Sequence, residues 1–129
     1  MELTKESIDL CAKVYNEMVS KAHIIWDILR EIEPDRYEYF KYVESVGLED
    51  VEQNGLVYVR GWDGYDPCGA DIPASYFYDE EWLETAKVKA EERKQERLRL
   101  AEQKEKELAE LREKRDRAEY ERLKAKFGE

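Results

Sequence analysis

Thirteen residues, GWDGYDPCGADIP (Gly61 to Pro73), gather three aspartates, a cysteine, a tryptophan and a tyrosine around Gly64, Pro67 and Gly69. A calcium loop needs oxygen ligands at alternating positions and a late bidentate acid. Asp63, Asp66 and Asp71 lack that spacing. A reactive thiol needs basic neighbours or a helix N-terminus. Cys68 has Asp66 and Asp71 beside it, which act the other way. Asp63-Gly64 and Asp66-Pro67 are turn formers between two strand-like runs, so the stretch reads as a loop. A loop at the rim of a sheet still binds partners. Trp62, Tyr65 and Tyr76 are the candidate anchors, because aromatic side chains dominate interface energetics. Trp62 is equally suited to a core.

Little else in the chain suggests catalysis. It has no P-loop, Rossmann glycine pattern, HExxH or GxSxG, and no nucleophile–base pair is visible. The single histidine, His23, lies inside a helical pattern and reads as structural, since general-base work needs a positioned partner. Cys11 and Cys68 make no metal spacing; a structural zinc site wants four ligands. They read as two free thiols in a reducing compartment. No metal, no cofactor and no enzymatic activity are expected. No apolar run approaches the length of about 20 residues that a membrane helix needs. The polar start MELTKESIDL is unlike a signal peptide. The chain therefore reads as cytoplasmic.

Three elements must position these residues. Ile8, Cys11, Tyr15, Met18, Ala22, Ile25, Leu29 and Ile32 recur at spacings of three and four, which predicts a helix over Thr4–Ile32 with Thr4 as N-cap and Pro34 as stop. Leu10, Val14, Ile24 and Ile28 widen the stripe, so the whole of it is expected to be core. The strict repeat also permits a dimer seam. Tyr37 to Phe77 reads as strands. YEYFKYVESV is aromatic and β-branched, and LVYVRGW follows the hairpin signal Asn54-Gly55. Leu56, Tyr58, Arg60 and Trp62 share one face there; Val57 and Val59 share the other. A third strand is expected over Asp71–Ser75, at an edge because of Pro73. Gly47 is the expected bulge.

The last element is a helix over Asp79–Lys126, with acids in its first turn. Trp82, Leu83 and Ala86 fold back on the sheet. Beyond Ala90 it is almost wholly Glu, Lys, Arg, Gln, Leu and Ala, all strong helix formers. In the best heptad frame half of the ten seam positions are basic: Lys94, Arg115, Arg122, Arg97 and Lys104. A solitary helix held by pairs such as Glu102–Lys106, Glu110–Lys114 and Glu113–Arg117 is therefore favoured over a coiled coil. Tyr120, Leu123 and Phe127 form a terminal apolar patch and a candidate docking point. The expected class is α+β, with a body over residues 1–90 and an extended charged helix over 91–129.

Charged residues make up 42% of the chain, well above the usual quarter, so much of it must be solvated. Residues 1–78 carry 16 acids and 7 bases; residues 79–129 carry 16 acids and 15 bases. An acidic body repels nucleic acid, which binds through phosphate neutralisation. It would attract a basic protein, and Glu44, Glu49, Asp50, Glu52, Asp63, Asp66 and Asp71 are the candidate phosphate mimics.

The segments VYVRGWDGYD, DIPASYF, DEEW and EYERLKAKF, from Leu56 onward, resemble small accessory proteins encoded by bacteriophages. The resemblance carries no catalytic residue. It implies a bacterial cytoplasm and a host protein as partner, including components of antiviral defence. The leading expectation is thus a non-enzymatic module that binds and modulates a host protein, with no direct nucleic-acid or membrane contact. The competing one is an assembly protein that oligomerises, as a homodimer or higher, through its long helices.

Overall fold

The computed structural model describes residues 2–128. Its order is α1 (Lys5–Ile32), β1 (Tyr42–Gly47), a short α2 (Val51–Asn54), β2 (Leu56–Trp62), β3 (Pro67–Pro73), a 3-10 turn (Ala74–Phe77) and α3 (Glu80–Lys126). The three strands form one antiparallel sheet in the order β1-β2-β3. The expected α+β class and three-element layout are what is found. The chain divides into two compact units, residues 1–92 and 93–129.

Thr4 caps α1. Its Oγ1 accepts the Ser7 N–H at 3.1 Å, and Ser7 Oγ accepts the Thr4 N–H at 2.9 Å. This reciprocal box contributes about 1 kcal/mol, as N-caps do. The helix ends before Pro34, where Glu33 N–H still reaches the Leu29 carbonyl at 2.7 Å.

On β2, Val57, Val59 and Gly61 face inward, and Tyr58 and Arg60 face solvent. Cys68 and Ile72 of β3 and Val46 of β1 join the inner face. α1 covers it with Ala22, Ile25, Trp26, Ile28 and Leu29, while Leu83, Ala86 and Ala90 of α3 close the same core. Trp26 stacks on Phe40, with centroids 4.6 Å apart and ring planes 19° from parallel, and Phe40 meets His23 edge-on at 4.8 Å. His23 is thus an aromatic neighbour of the core. The buried Nε1 of Trp26 has no acceptor.

Five expectations need correction. The first strand is shorter than the run YEYFKYVESV: β1 begins at Tyr42, and Tyr37 to Lys41 lie outside it. Ile24, at the margin of the α1 stripe, is exposed and not core, and the first half of the stripe is not core either: Ile8, Leu10, Val14 and Tyr15 are exposed large apolar side chains, and Cys11 is exposed with them. The reason is length. The 28 residues of α1 span about 42 Å, whereas a 7-residue strand spans about 23 Å. The bulge lies between Val43 and Ser45, at Glu44, not at Gly47. Asn54-Gly55 is not a two-residue hairpin turn: Asn54 ends α2, and Gly55, at φ 64°, caps it in the left-handed region. β3 starts earlier than expected, at Pro67, and ends at Pro73, so that Ala74 and Ser75 belong to the 3-10 turn.

Gly61 and Gly69 give a paired prediction. A Cβ on Gly61 would sit 2.9 Å from the Trp26 ring and 3.1 Å from the Tyr42 carbonyl oxygen. Neither has room to yield, so Gly61→Ala is expected to destabilise the fold by about 1–3 kcal/mol, as overpacking does. A Cβ on Gly69 would also collide, but with the ring of Tyr58, which is exposed and free to swing away. Gly69→Ala is expected to cost under about 1 kcal/mol. Urea denaturation of the two variants measures the difference. Equal losses would show that Trp26 is not held against Gly61.

Candidate protein-binding surfaces

The Gly61–Pro73 stretch comprises the last two residues of β2, the β2–β3 turn and the whole of β3. Asp63 builds its turn. Its Oδ1 accepts the backbone N–H groups of Tyr65 and Asp66, each at 2.7 Å, and its own N–H donates to the Asp66 carbonyl at 3.1 Å. Gly64 sits between them at φ 109°, which L side chains rarely adopt. Those hydrogen bonds, from Asp66 first and Tyr65 second, hold the Asp63 carboxyl below the usual range. Asp63 is therefore a turn builder before it is a contact residue.

The hairpin presents Tyr65 at its tip, 87% exposed. Trp62 lies half-buried between Tyr42 of β1 and Pro67 of β3, its register partners on the two sides. Tyr76 stacks on Trp82 at 3.7 Å with ring planes 6° apart. Each of these two rings covers a face of the other. Cys68 is buried. Burial pushes its thiol up, and Asp63, Glu38 and Glu44 add to the shift, so it is a poor nucleophile. Among the described residues no three His, Cys, Asp or Glu side chains gather as metal ligands.

The candidate acids fall into separate groups. Glu49, Asp50 and Glu52 lie in the β1–β2 connection. Asp71, on the solvent side of β3, is opposite Tyr58 near that same end of the sheet. Asp63 and Asp66 lie at the other end, one strand length away, about 20 Å. Glu44 is committed to a cross-strand ion pair with Arg60 at 3.4 Å. Asp50 stands at the N-terminus of α2 without a side-chain cap bond, and both it and Glu52 are exposed.

An open groove of about 390 Å³ between α1 and the first turns of α3 was not foreseen. Asn16, Glu17, Ser20, Lys21, Ile24, Leu83 and Lys87 line it, and Lys21 bridges to Glu80 at 2.9 Å on α3. Ser20 has no imidazole beside it in this lining. Asp79 anchors this end of α3: its Oδ1 accepts the Trp82 N–H at 3.0 Å, as an N-cap does.

In the 93–129 unit every described side chain is exposed. Of the expected pairs, Glu113–Arg117 forms at 2.9 Å; two further pairs, Glu96–Arg99 and Glu119–Arg122, are three residues apart. Tyr120, Leu123 and Phe127 are exposed on the last turns, with Lys126 over the Phe127 ring at 5.8 Å. No family model, curated protein or solved structure matches the chain.

The turn geometry predicts a pH effect. A carboxyl whose folded pKa is depressed adds stability above its unfolded pKa, about 3.9 for Asp. That stability is lost as pH falls from there through the lower folded value. Asp63 is therefore expected to titrate below the ordinary aspartate value in a carboxyl-detected NMR titration. Asp63→Ala should narrow the stability difference between neutral and acid pH. An Asp63 that titrates at or above the ordinary aspartate value, about 3.9, would refute the turn assignment.

Proposed function

We propose that the chain is a non-enzymatic protein-interaction module that binds and modulates a host protein, as a bacteriophage accessory protein would in a bacterial cytoplasm. The observation that carries this reading is the sorting of charge between the two units. Residues 1–92 hold 22 acids against 9 bases, a net −13, while residues 93–129 hold 10 acids against 13 bases, a net +3. A body so acidic repels polyanions and steers basic protein surfaces toward itself.

The acids of the β1–β2 connection support a decoy role. Asp50 and Glu52 are exposed and close in sequence on a short, fixed connection. A nucleic-acid-binding protein, such as a component of antiviral defence, would meet there carboxylates in place of phosphates. Tyr65 at the hairpin tip and the patch of Tyr120, Leu123 and Phe127 supply apolar anchors.

The test is affinity capture from nuclease-treated bacterial lysate, with the full chain and a chain ending at Glu92 as baits. One stoichiometric basic protein is expected, retained at low salt and released at about 1 M, where the screening length is about 3 Å. Glu49→Gln, Asp50→Asn and Glu52→Gln together should weaken capture at least about tenfold, in line with loss of close charge pairs. Capture unchanged by the triple substitution would exclude the decoy.

A further inference from the structure

β1 and β3 are the two edges of the sheet, and the chain treats them differently. On β1 the Tyr15 hydroxyl of α1 accepts the Val46 N–H at 3.2 Å. On β3 the edge is open. Two bonds frame its register with β2: Ala74 N–H to the Gly55 carbonyl at 2.8 Å, and Asp63 N–H to the Asp66 carbonyl at 3.1 Å. Hydrogen-bonded pairs alternate along an antiparallel ladder. Cys68, Ala70 and Ile72 therefore bond to β2, while Gly69 and Asp71 turn their N–H and C=O groups outward. Both residues are exposed, and among the described residues no bond from outside the ladder reaches them. Pro67 and Pro73 bound this edge and offer no donor. On the solvent face, the ring and hydroxyl of Tyr58 occupy the space that a Gly69 side chain would take. Arg60, the register partner of Gly69, is drawn the other way, to Glu44 of β1 at 3.4 Å.

We propose, on the basis of the interaction role above, that an extended basic segment of the partner protein adds to this sheet as a fourth strand, antiparallel to β3. Strand addition supplies what the edge lacks: acceptors for the Gly69 and Asp71 N–H groups and donors for their carbonyls. The charge of the occupant follows from the surroundings. The 1–92 unit carries a net −13. Asp63 and Asp66 lie at one end of β3, and Glu49, Asp50 and Glu52 adjoin the other, where Gly55 bonds to Ala74. These two groups are too far apart to form one patch, yet a strand laid along β3 runs from one to the other. At its middle, the residue opposite Gly69 points to the solvent face, where Gly69 has no side chain to block it. A lysine or arginine there meets the exposed Tyr58 ring, with the Asp71 carboxylate as its diagonal neighbour. One cationic head group thus gains a cation–π contact and an ion pair. A second copy of the chain would instead bring another net −13 to the same edge.

The probe is a peptide with blocked ends, Lys-Val-Thr-Val-Lys-Val-Thr-Val-Lys, and the readout is amide hydrogen exchange of the full chain by NMR. In the chain alone, the Gly69 and Asp71 amides should exchange quickly and those of Cys68, Ala70 and Ile72 slowly. The peptide should slow Gly69 and Asp71 at least about tenfold. Glutamate in place of lysine should weaken binding at least about tenfold. N-methylation of the central lysine and both threonines, whose N–H groups face β3, should abolish the protection; N-methylation of the valines should not. Tyr58→Thr and Asp71→Asn, read at the Gly69 amide, should each weaken the peptide about two- to fivefold, as loss of an exposed cation–π contact or ion pair does. Tryptophan fluorescence should show both variants folded. Unchanged exchange with the peptide present, or equal binding of the glutamate peptide, would overturn the proposal. Protection of both amides in the chain alone at about 1 mM but not at about 50 µM would give the edge to a second copy instead. The lysate capture fails independently: no capture there, with protection by the peptide, keeps the edge site and removes the host partner, and capture without protection does the reverse.

Discussion

A tryptophan that lies on a β-sheet needs a strip of strand with no side chain beneath it, and Gly61 supplies that strip. The Trp26 indole rests on the α-carbon of Gly61 and stacks on Phe40 from the segment before β1. One ring therefore joins α1, the approach to the sheet and its central strand. The arrangement is held by shape and burial, since the indole N–H is left without an acceptor; an unmet buried donor costs about 1–3 kcal/mol. Around this contact the small inward residues of β2 and β3 let the helix settle close, and Leu83 and Ala86 of α3 complete the cover. The positions of both sheet ends, and so of the acids and the hairpin tip, follow from it.

Much of this was legible in residue patterns. The extent of α1 and its Thr4 cap, the two faces of β2 and the reach of α3 follow from periodicity and capping chemistry, which act locally. Asp-Gly and Asp-Pro rightly marked the turn at 63–66 for the same reason, but Pro67 to Pro73, read as part of that loop, is strand β3. What could not be read was set by distance through space. Nothing in the 3–4 repeat of α1 says that the sheet stops short of Ile8 and Cys11. The bulge at Glu44 arises from matching β1 to β2 across the sheet, and no glycine marks it. Asn54-Gly55 carried a true signal for a left-handed residue, yet one residue with φ 64° suits a helix cap as well as a hairpin.

The candidate site was legible as a set of residue types and not as an arrangement. Glu49, Asp50 and Glu52 stay together because they adjoin in sequence. Asp63 and Asp66 separate from them because β2 runs its full length in between. Asp63 proved to have a local duty to backbone N–H groups, and Tyr76 to have an aromatic partner in Trp82. Glu44 was drawn into a pair with Arg60 only through cross-strand register. Composition could show an excess of acid, but only the fold shows which carboxylates are engaged.

The 93–129 unit buries no described side chain, and this changes what a melting experiment on the chain would report. Its helix is held by backbone hydrogen bonds, intrinsic propensity and solvent-screened ion pairs, with no packed core to make its residues melt together. Such a helix frays gradually with temperature, while the 1–92 unit loses its packing cooperatively. Circular dichroism at 222 nm would sum the two processes; the fluorescence of Trp26, Trp62 and Trp82 belongs to the body alone. The two signals would not superimpose, and a midpoint taken from helicity would describe neither unit.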